Sequence, residues 1–380
     1  LMRVTLYLKH FPASGGPLNN GTSIAVDGLA SGLAANGARV TVLCEGLARS
    51  SIKTARRYAV ECFPNHRPYR TFALAPGLKR YVADYLAHRQ GLCLINGMFH
   101  PSVYAMGRWL RRHGVPYVVV PHDPYDRAVF GTNAHLKWPY WYLFERRLLQ
   151  QARAVQLLDA RHERCLRRLG IGTRVIETMN GVAVDSVPPE SQLRWRGPDG
   201  PVHLVFLGRI DAYNKGLDIL LSALPYVTAV ADARLTLQGP DGGDRARLEK
   251  QAADGMAAGK VTFRDPDYGR PSPRIIAEHD VFCLPSRFEG FGLAALEAML
   301  AARVLLVSER AGIARHVAAS GCGVVVEPTP AGVGEGLLAL LQRRAEWRGM
   351  GLAGRRYALE NLQWKSIAAT ALEQYRRLAA

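Results

Sequence analysis

The stretch PSRFEGFGLAALEAM, residues 285–299, follows a short apolar run at Val281–Leu284. A run of that length with apolar character throughout is typical of a buried strand. From Leu293 to Leu300 the apolar residues recur at helical spacing. The stretch therefore predicts a strand, a glycine-bearing loop and the start of a helix.

The loop has the properties of an anion-binding turn. Gly290 and Gly292 would let the backbone approach a ligand closely, because glycine has no side chain beyond Cα. The amides of Phe291, Gly292 and Leu293 would lie at the helix N-terminus. Unpaired N–H groups and the helix dipole favour negative charge there.

Two carboxylates bracket this turn. Glu289 lies in the predicted loop, and Glu297 lies one turn into the predicted helix. An anion site between two acids suits a ligand that carries both phosphates and sugar hydroxyls, such as a nucleotide sugar. The alternative is an ordinary turn between a strand and a helix, with two solvated acids.

A second candidate phosphate site follows the predicted strand Val202–Leu207. The sequence continues with Gly208 and Arg209, and Lys215 then precedes a predicted helix, Leu217–Val230. Two cations beside a helix N-terminus would neutralise a diphosphate leaving group. The alternative is a pair of surface bases held in salt bridges.

Together these motifs resemble the glutamate-x7-glutamate and Gly-Arg…Lys-Gly signatures of the retaining glycosyltransferases of family 4, also called glycosyl transferases group 1. The resemblance implies an α/β fold of the GT-B type, with two Rossmann-like domains facing an interdomain cleft. It also implies that Glu289 lies beside the donor sugar and that Glu297 holds the nucleotide ribose. Arg209 and Lys215 would stabilise the departing diphosphate in place of a metal ion.

The N-terminal region predicts a first Rossmann-like unit. A strand at Arg3–Leu8, a loop containing Gly15 and Gly16, and a helix at Thr22–Ala35 follow one another within about 40 residues, as such units require. By the resemblance, the loop amides approach the donor phosphates or the acceptor, so Gly16 is a candidate donor-binding residue. A plain turn is the alternative reading of this loop.

His122 stands just after a predicted strand, Tyr117–Pro121. Ligands of α/β sheets bind at the carboxyl ends of strands, and a neutral imidazole there can bond a sugar hydroxyl. The resemblance implies contact with the donor sugar, whereas a lone histidine is also often an ordinary loop residue. The implied catalytic residues are Arg209, Lys215, Glu289 and His122, and the implied donor-binding residues are Gly16, Gly208, Phe291, Gly292, Leu293 and Glu297.

We expect three segments in the chain. Residues 1–182 would form an N-terminal Rossmann-like acceptor domain, and residues 183–362 a C-terminal donor domain. Residues 363–380 would form a helix that, by the resemblance, crosses back to the first domain. No internal repeat is evident beyond the two Rossmann-like halves.

Positive charge is concentrated in the first segment. Residues 1–182 hold 25 Lys and Arg against 10 Asp and Glu, whereas residues 183–380 hold 24 against 22. This excess of positive charge predicts that the first domain binds an anionic partner. The candidates are a membrane surface, a lipid-linked or acidic glycan acceptor, and nucleic acid. An arginine-rich surface without a partner is the alternative. The aromatic and basic run His135–Arg147 predicts either an interfacial segment or a helix that packs its aromatics into the core.

Metal and cofactor sites are not indicated. Asp265 and Asp267 form a D-x-D sequence, but we expect loop chemistry rather than a metal there, and a UDP- or GDP-linked sugar would be a substrate. The six cysteines are scattered without a C-x-x-C pair, and no long apolar run is present. These features predict a cytoplasmic protein, with peripheral attachment to the inner face of the membrane left open.

The sequence thus predicts a metal-independent retaining hexosyltransferase of glycan, polysaccharide or glycolipid biosynthesis. One alternative is a GT-B sugar-nucleotide epimerase. Another is a basic module without catalytic activity that binds membrane or nucleic acid, although no nucleic-acid-binding signature is evident.

Overall fold

The computed structural model describes residues 1–12, 18, 20–67, 71–183, 187–197 and 199–379. The strands are β1 (Arg3–Tyr7), β2 (Arg39–Gly46), β3 (Ser50–Lys53), β4 (Ala59–Pro64), β5 (Leu92–Asn96), β6 (Tyr117–Val120), β7 (Ala154–Leu157), β8 (Val175–Glu177), β9 (Val202–Leu207), β10 (Ala233–Gln238), β11 (Val261–Arg264), β12 (Val281–Leu284), β13 (Val304–Ser308) and β14 (Gly323–Val326). The α-helices are α1 (Gly21–Ala35), α2 (Pro76–Tyr81), α3 (Pro101–Arg112), α4 (Arg127–Gly131), α5 (Ala134–Tyr140), α6 (Arg146–Gln150), α7 (Glu163–Arg168), α8 (Ala212–Lys215), α9 (Leu217–Thr228), α10 (Arg245–Asp254), α11 (Ser272–Ile276), α12 (Leu293–Leu300), α13 (Ala314–Ser320), α14 (Pro330–Gln342), α15 (Trp347–Asn361) and α16 (Trp364–Ala379). Shorter helical segments are the π-helices Val82–Leu86 and Trp141–Glu145 and the 3₁₀ turns Ala160–His162, Glu190–Gln192 and Arg344–Glu346.

The chain forms two compact units. Unit 1 comprises Leu1–Gly181 together with Trp364–Ala380, and unit 2 comprises Val182–Gln363. Counted by these bounds, unit 1 carries 28 Lys and Arg against 11 Asp and Glu, a formal net charge of +17. Unit 2 carries 21 against 21. The whole net charge of the protein therefore lies in unit 1.

Unit 1 is built on an eight-stranded sheet in the order β3-β4-β2-β1-β5-β6-β7-β8. All neighbouring strands are parallel except β3, which pairs antiparallel with β4 at the edge. The strand order reverses between β1 and β5. The carboxyl ends of these two strands therefore mark the position where a doubly wound sheet accepts ligands.

Two glycines let the C-terminal helix pack closely on α1. A Cβ at Gly28 would lie 2.0 Å from Trp364 Nε1, and a Cβ at Gly32 would lie 2.8 Å from the Cβ of Ala368. Trp364 and Ala368 belong to α16 and are both buried in the core of unit 1. The last helix thus completes the core of the unit that contains the N-terminus.

The segment of residues 134–150, here the α5–α6 segment, has one buried and one exposed apolar face. Trp141 is 1% exposed and packs edge-on against Phe130. Leu136, Tyr142 and Leu143 are 57%, 64% and 63% exposed. The expectation that the run packs aromatic side chains into the core is therefore met in part, and several of its apolar side chains face solvent.

Unit 2 is a six-stranded, wholly parallel sheet in the order β11-β10-β9-β12-β13-β14. Numbered within the unit, this is the common doubly wound order 3-2-1-4-5-6. The order reverses between β9 and β12, and the loops that leave these two strands lie at the switch point where ligands bind. These loops carry the two motifs that the sequence singled out.

In the described part of the chain, no helix is both long enough and apolar enough to cross a bilayer. The six cysteines are buried and are not joined in disulfides.

Candidate active site

Close backbone contacts hold the loops that follow β9 and β12 together. Gly216 has a φ of +66° and ends α8, and a Cβ on it would lie 2.2 Å from the carbonyl oxygen of Pro285. Only glycine accepts both the left-handed conformation and this approach. The Arg287 amide also donates to the Asn214 carbonyl at 3.1 Å. The two loops therefore form one surface at the carboxyl edge of the sheet.

An ion pair joins the loop after β12 to the first turn of α9. Arg287 Nη1 and Nη2 donate to the two carboxylate oxygens of Asp218, both at 2.8 Å. The Arg287 guanidinium also lies 4.9 Å from the centre of the Tyr213 ring. This bidentate pair preorganises the site. Sequence reasoning missed it, although Arg287 lies inside the stretch that decided the fold, because its partner is 69 residues away.

Lys215 and Glu289 meet at the centre of this surface. Lys215 Nζ lies 2.7 Å from Glu289 Oε2, and the two side chains are 23% and 12% exposed. The Ser286 hydroxyl donates to the same carboxylate oxygen at 3.4 Å. The sequence predicted that each residue binds a different part of a donor, but without a ligand the ammonium is neutralised by the carboxylate. An incoming anion would therefore compete with Glu289 for Lys215.

Arg209 lies on the rim of the site. Its side chain is 60% exposed, and Nη2 is 3.6 Å from Asp211 Oδ2. Asp211 is held as well, since its Oδ1 accepts the Asn214 amide at 2.9 Å at the start of α8. A guanidinium this exposed is loosely held and can reorient toward a ligand. Gly208, the residue before it, has a φ of +155°, a conformation that residues with a side chain rarely adopt.

The predicted anion-binding helix is α12. Gly292 is its N-cap with a φ of +101°, and a Cβ there would lie 2.8 Å from Leu284 Cδ2. Phe291 is 1% exposed, and its carbonyl accepts the Ile313 amide at 2.8 Å. Among the described residues, no side chain caps this helix, which begins at Leu293. No described side chain therefore competes with a ligand for the amides at the start of this helix.

Glu297 is a half-buried acid of α12 whose carboxyl lies in a partly desolvated environment. Desolvation raises the pKa of Glu297 to about 7, and the Ser272 hydroxyl opposes part of this shift. A carboxyl with a pKa of about 7 is about half protonated at neutral pH, so it repels phosphates less than an ordinary carboxylate does. It can also donate a hydrogen bond to a sugar hydroxyl as well as accept one.

The raised pKa predicts a pH dependence of stability. A carboxyl whose pKa is higher in the folded state favours folding at low pH, and that contribution is lost as pH rises from about 4.5 through about 7. Glu297 changes the free energy of unfolding by at most about 1.4 kcal/mol per pH unit. We expect Glu297→Gln to flatten the dependence of the free energy of unfolding on pH, measured by denaturant titration between pH 5 and 8.

The exposed glutamate Glu335, on α14 of the same unit, provides a matched control. Glu335→Gln should leave the slope as in the wild type. An unchanged slope in Glu297→Gln would show that this carboxyl ionises at its ordinary pKa. The buried Glu145 of unit 1 has its pKa raised to about 7 by desolvation too, and it contributes to the slope that remains.

His122 lies in unit 1, just after β6. It adopts a φ of +68°, an uncommon conformation for a residue other than glycine and one that often accompanies function. Its Nε2 lies 2.8 Å from Asn96 Oδ1, at the end of β5. Asn96 Nδ2 donates to the Tyr7 carbonyl at 3.1 Å, which orients the amide so that Oδ1 accepts from the histidine.

Burial lowers the pKa of His122 to about 4, so the ring is neutral at physiological pH. Because Nε2 donates to Asn96, Nδ1 is left as the acceptor, which suits a hydroxyl donor. Sequence reasoning missed Asn96, although it ends a strand beside the switch point of the first sheet. The prediction for Gly16 lies outside the described residues.

The D-x-D acids are engaged with arginines. Asp265 Oδ1 lies 2.5 Å from Arg245 Nη1, and Asp267 Oδ2 lies 2.7 Å from Arg270 Nε. Over the described ranges, no group of three or more His, Cys, Asp or Glu side chains is arranged to hold a metal ion. Asp265 and Asp267 therefore act as partners of surface arginines in this structure.

Models of known protein families match most of both units. Residues 201–343 match the family described as glycosyl transferases group 1, and residues 20–181 match the glycosyl transferase 4-like domain. The chain belongs to the group 1 glycosyltransferases. The first of these matched regions contains both motifs of unit 2.

The curated relatives of this glycosyltransferase include mannosyltransferases. It is 30% identical over 216 residues to the phosphatidyl-myo-inositol mannosyltransferase of Mycobacterium tuberculosis, a match covering 55% of this chain and 56% of the relative. The match thus spans only a little over half of that relative's length. Identity to the GDP-mannose-dependent alpha-(1-6)-phosphatidylinositol dimannoside mannosyltransferase of the same species is 28%, covering 94% of this chain and 92% of the relative.

Solved structures agree on the fold. The sucrose-phosphate synthase of Thermosynechococcus elongatus superposes with a TM-score of 0.77 at 19% identity, covering 100% of this chain and 99% of that one. The fold of this glycosyltransferase is therefore GT-B, as the sequence motifs predicted.

Proposed function

We propose that this glycosyltransferase moves a hexose from a nucleotide diphosphate sugar to a hydroxyl of a lipid-linked acceptor, with retention at the anomeric carbon. The observation that carries the proposal is the Lys215–Glu289 pair beside the α12 N-terminus, at the switch point of a doubly wound sheet. GDP-mannose is the first donor to test, since relatives of this chain are named for it.

Donor binding begins with an exchange of partners. The diphosphate replaces Glu289 as the ion-pair partner of the Lys215 ammonium. The Glu289 carboxylate can then accept hydrogen bonds from sugar hydroxyls. Arg209 turns in from the rim to the same phosphates. Glu297, about half protonated at neutral pH, forms hydrogen bonds with the ribose hydroxyls and adds less negative charge beside the diphosphate than an ordinary carboxylate would.

Transfer follows from the charge that develops on the leaving group. As the bond from the anomeric carbon to the phosphate oxygen breaks, negative charge grows on the diphosphate. Lys215, Arg209 and the α12 amides stabilise that charge. The acceptor oxygen bonds to the anomeric carbon from the face that the phosphate leaves, and its proton passes to the departing phosphate oxygen. This same-face course, which the family resemblance supports, yields retention without a separate general base.

The two cations make a metal ion unnecessary in this scheme. We expect turnover to be unchanged within about twofold when EDTA is added to enzyme purified without divalent ions. Loss of turnover with EDTA and its recovery with Mn²⁺ or Mg²⁺ would contradict this, and would require Asp265 and Asp267 to leave their arginine partners. The measurement is nucleotide release at saturating donor and acceptor.

Unit 1 is suited to a membrane-borne acceptor. Its net charge of +17 attracts an anionic leaflet, and each base near such a surface contributes about 1 kcal/mol. The exposed apolar side chains of the α5–α6 segment would enter the interface, and Phe72, 47% exposed, packs against that segment through Phe144 at 4.9 Å. We therefore propose peripheral attachment to the cytoplasmic leaflet.

Two measurements test the proposed reaction. A thermal-shift panel of GDP, UDP and ADP and their sugars identifies the nucleotide base of the donor. We expect one nucleoside diphosphate to raise the midpoint temperature of unfolding more than the others. Nucleotide release is then measured with and without a phosphatidylinositol acceptor. Release that depends on the acceptor supports transfer, whereas sugar isomerisation without acceptor would favour the epimerase.

A further inference from the structure

A second pocket lies at the opposite edge of the sheet of unit 2. It has a volume of about 350 Å³ and is bordered by Asp280 and Val304, at the amino ends of β12 and β13. The candidate active site lies at the carboxyl ends of the same parallel strands. With strands of four to six residues at about 3.3 Å per residue, the two sites are roughly 13–20 Å apart. A ligand in one does not occupy the other.

The charged side chains around this pocket are mostly arginines. The charged residues lining it are Asp280, Arg196, Arg303, Arg344 and Arg348, a formal net charge of +3. The rest of unit 2 must then carry a net −3, because the unit as a whole is neutral. A cationic cavity in a neutral domain is a local feature that favours an anion.

The single carboxylate of the pocket is already engaged. Asp280 Oδ2 accepts the His203 amide at 2.8 Å, and Oδ1 accepts from Arg196 Nη1 at 3.4 Å. Arg303 is 3% exposed, and its Nη2 donates to the Arg194 carbonyl. Its Nε has no hydrogen-bond partner among the described residues. A buried guanidinium in this state is costly, and a bound anion would reduce that cost.

Two indoles form flat walls beside the arginines. The Arg303 and Arg348 guanidinium carbons lie 5.6 and 5.1 Å from the Trp195 ring centre, and Arg344 lies 5.7 Å from that of Trp347. The Trp195 ring is fixed by its Nε1, which donates to the Ala302 carbonyl at 3.2 Å. Arginines held against aromatic rings keep a defined direction, as recognition of a phosphate requires.

We propose that this pocket binds a phosphate ester as an accessory site, distinct from the candidate active site. Arg348 and Arg344, which lie over the Trp195 and Trp347 rings, meet the phosphate of this ester at the pocket mouth. Two sources offer this chemistry: a soluble organic phosphate and the phosphate of a lipid headgroup.

The test is isothermal titration of the full-length protein with inorganic pyrophosphate at low salt. We expect Arg348→Ala and Arg344→Ala each to weaken one pyrophosphate site at least tenfold. Arg343→Ala provides the matched control, since Arg343 neighbours Arg344 but is paired with Glu346 at 2.7 Å and does not line the pocket. Lys215→Ala should leave this accessory site unchanged, which separates it from the proposed donor site.

Circular dichroism establishes that each variant is folded, and vesicles containing phosphatidylinositol identify the source of the phosphate. Vesicle binding that weakens in Arg348→Ala and is displaced by pyrophosphate supports a lipid headgroup. Pyrophosphate binding without such vesicle binding supports a soluble phosphate. The proposal is overturned if the two pocket variants bind pyrophosphate as the wild type does, or if all pyrophosphate binding disappears in Lys215→Ala.

Discussion

Lys215→Ala is expected to lower kcat at least about a hundredfold, because the diphosphate then departs without its buried cation. Removing one positioned group from a developing anion typically costs about 3 to 4 kcal/mol of transition-state stabilisation. Lys215 is mostly buried and lies at the meeting point of two fixed loops, so water is a poor substitute. Arg209→Ala should act in the same direction, since its guanidinium reaches the same phosphates from the rim.

A second effect would follow from the partner of the lysine. Without Lys215, Glu289 becomes an uncompensated and largely buried carboxylate that repels the diphosphate, so the KM for the donor should rise as well. Lys250→Ala is the matched control, since Lys250 is a 78% exposed lysine of the same unit paired with Asp254. Turnover of Lys215→Ala within tenfold of the wild type, in a folded protein, would refute the role assigned to this residue.

Leu136→Asp combined with Leu143→Asp is expected to weaken binding to anionic vesicles more than a hundredfold. Burying one such side chain contributes about 1.5 to 3 kcal/mol, and both are more than half exposed on the α5–α6 segment. Each new carboxylate is also repelled by the anionic headgroups. The measurement is co-sedimentation with vesicles at low salt, with and without anionic lipid.

Met256→Asp is the matched control for that experiment. Met256 is 89% exposed but belongs to unit 2, which carries no net charge, so its substitution should not affect vesicle binding. Turnover on a water-soluble acceptor should also survive in the double variant. Equal vesicle binding by the double variant and the wild type would contradict the membrane role of the segment.

Buried parallel strands were the elements best predicted from sequence. Val202–Leu207 and Val281–Leu284 have the predicted bounds. In a sheet covered on both faces, a strand is a continuous apolar run, so the flanking polar residues indicate where the strand begins and ends. The helix Leu293–Leu300 was predicted equally well, because Gly292 fixes where it starts.

Elements with little buried surface were missed. The antiparallel edge strand β3 is Ser-Ser-Ile-Lys, and its only long apolar side chain is Ile52. The short strand β8 has three residues, too few to produce a pattern. The helix α2 continues as a π-helix from Val82 to Leu86, a change of winding that residue spacing does not reveal.

Predictions for the candidate site identified residue types better than their partners. Lys215 and Glu289 were both singled out, but their ion pair was not, because they are 74 residues apart in sequence. The raised pKa of Glu297 depends on burial, which a sequence motif does not contain. The arginine pocket is lined by side chains from several separate segments. It was not predicted, because their proximity in space does not show in the sequence.

The most direct test of the proposed reaction is the structure of its product. The wild-type enzyme, in EDTA, is incubated with GDP-mannose or the donor that the thermal-shift panel selects, together with vesicles containing phosphatidylinositol. We predict a lipid product heavier by one hexose, with the α-configuration of the donor retained at the new glycosidic bond by NMR, and no such product from Lys215→Ala. A product of inverted configuration, or consumption of donor without a glycosylated lipid, would contradict the account.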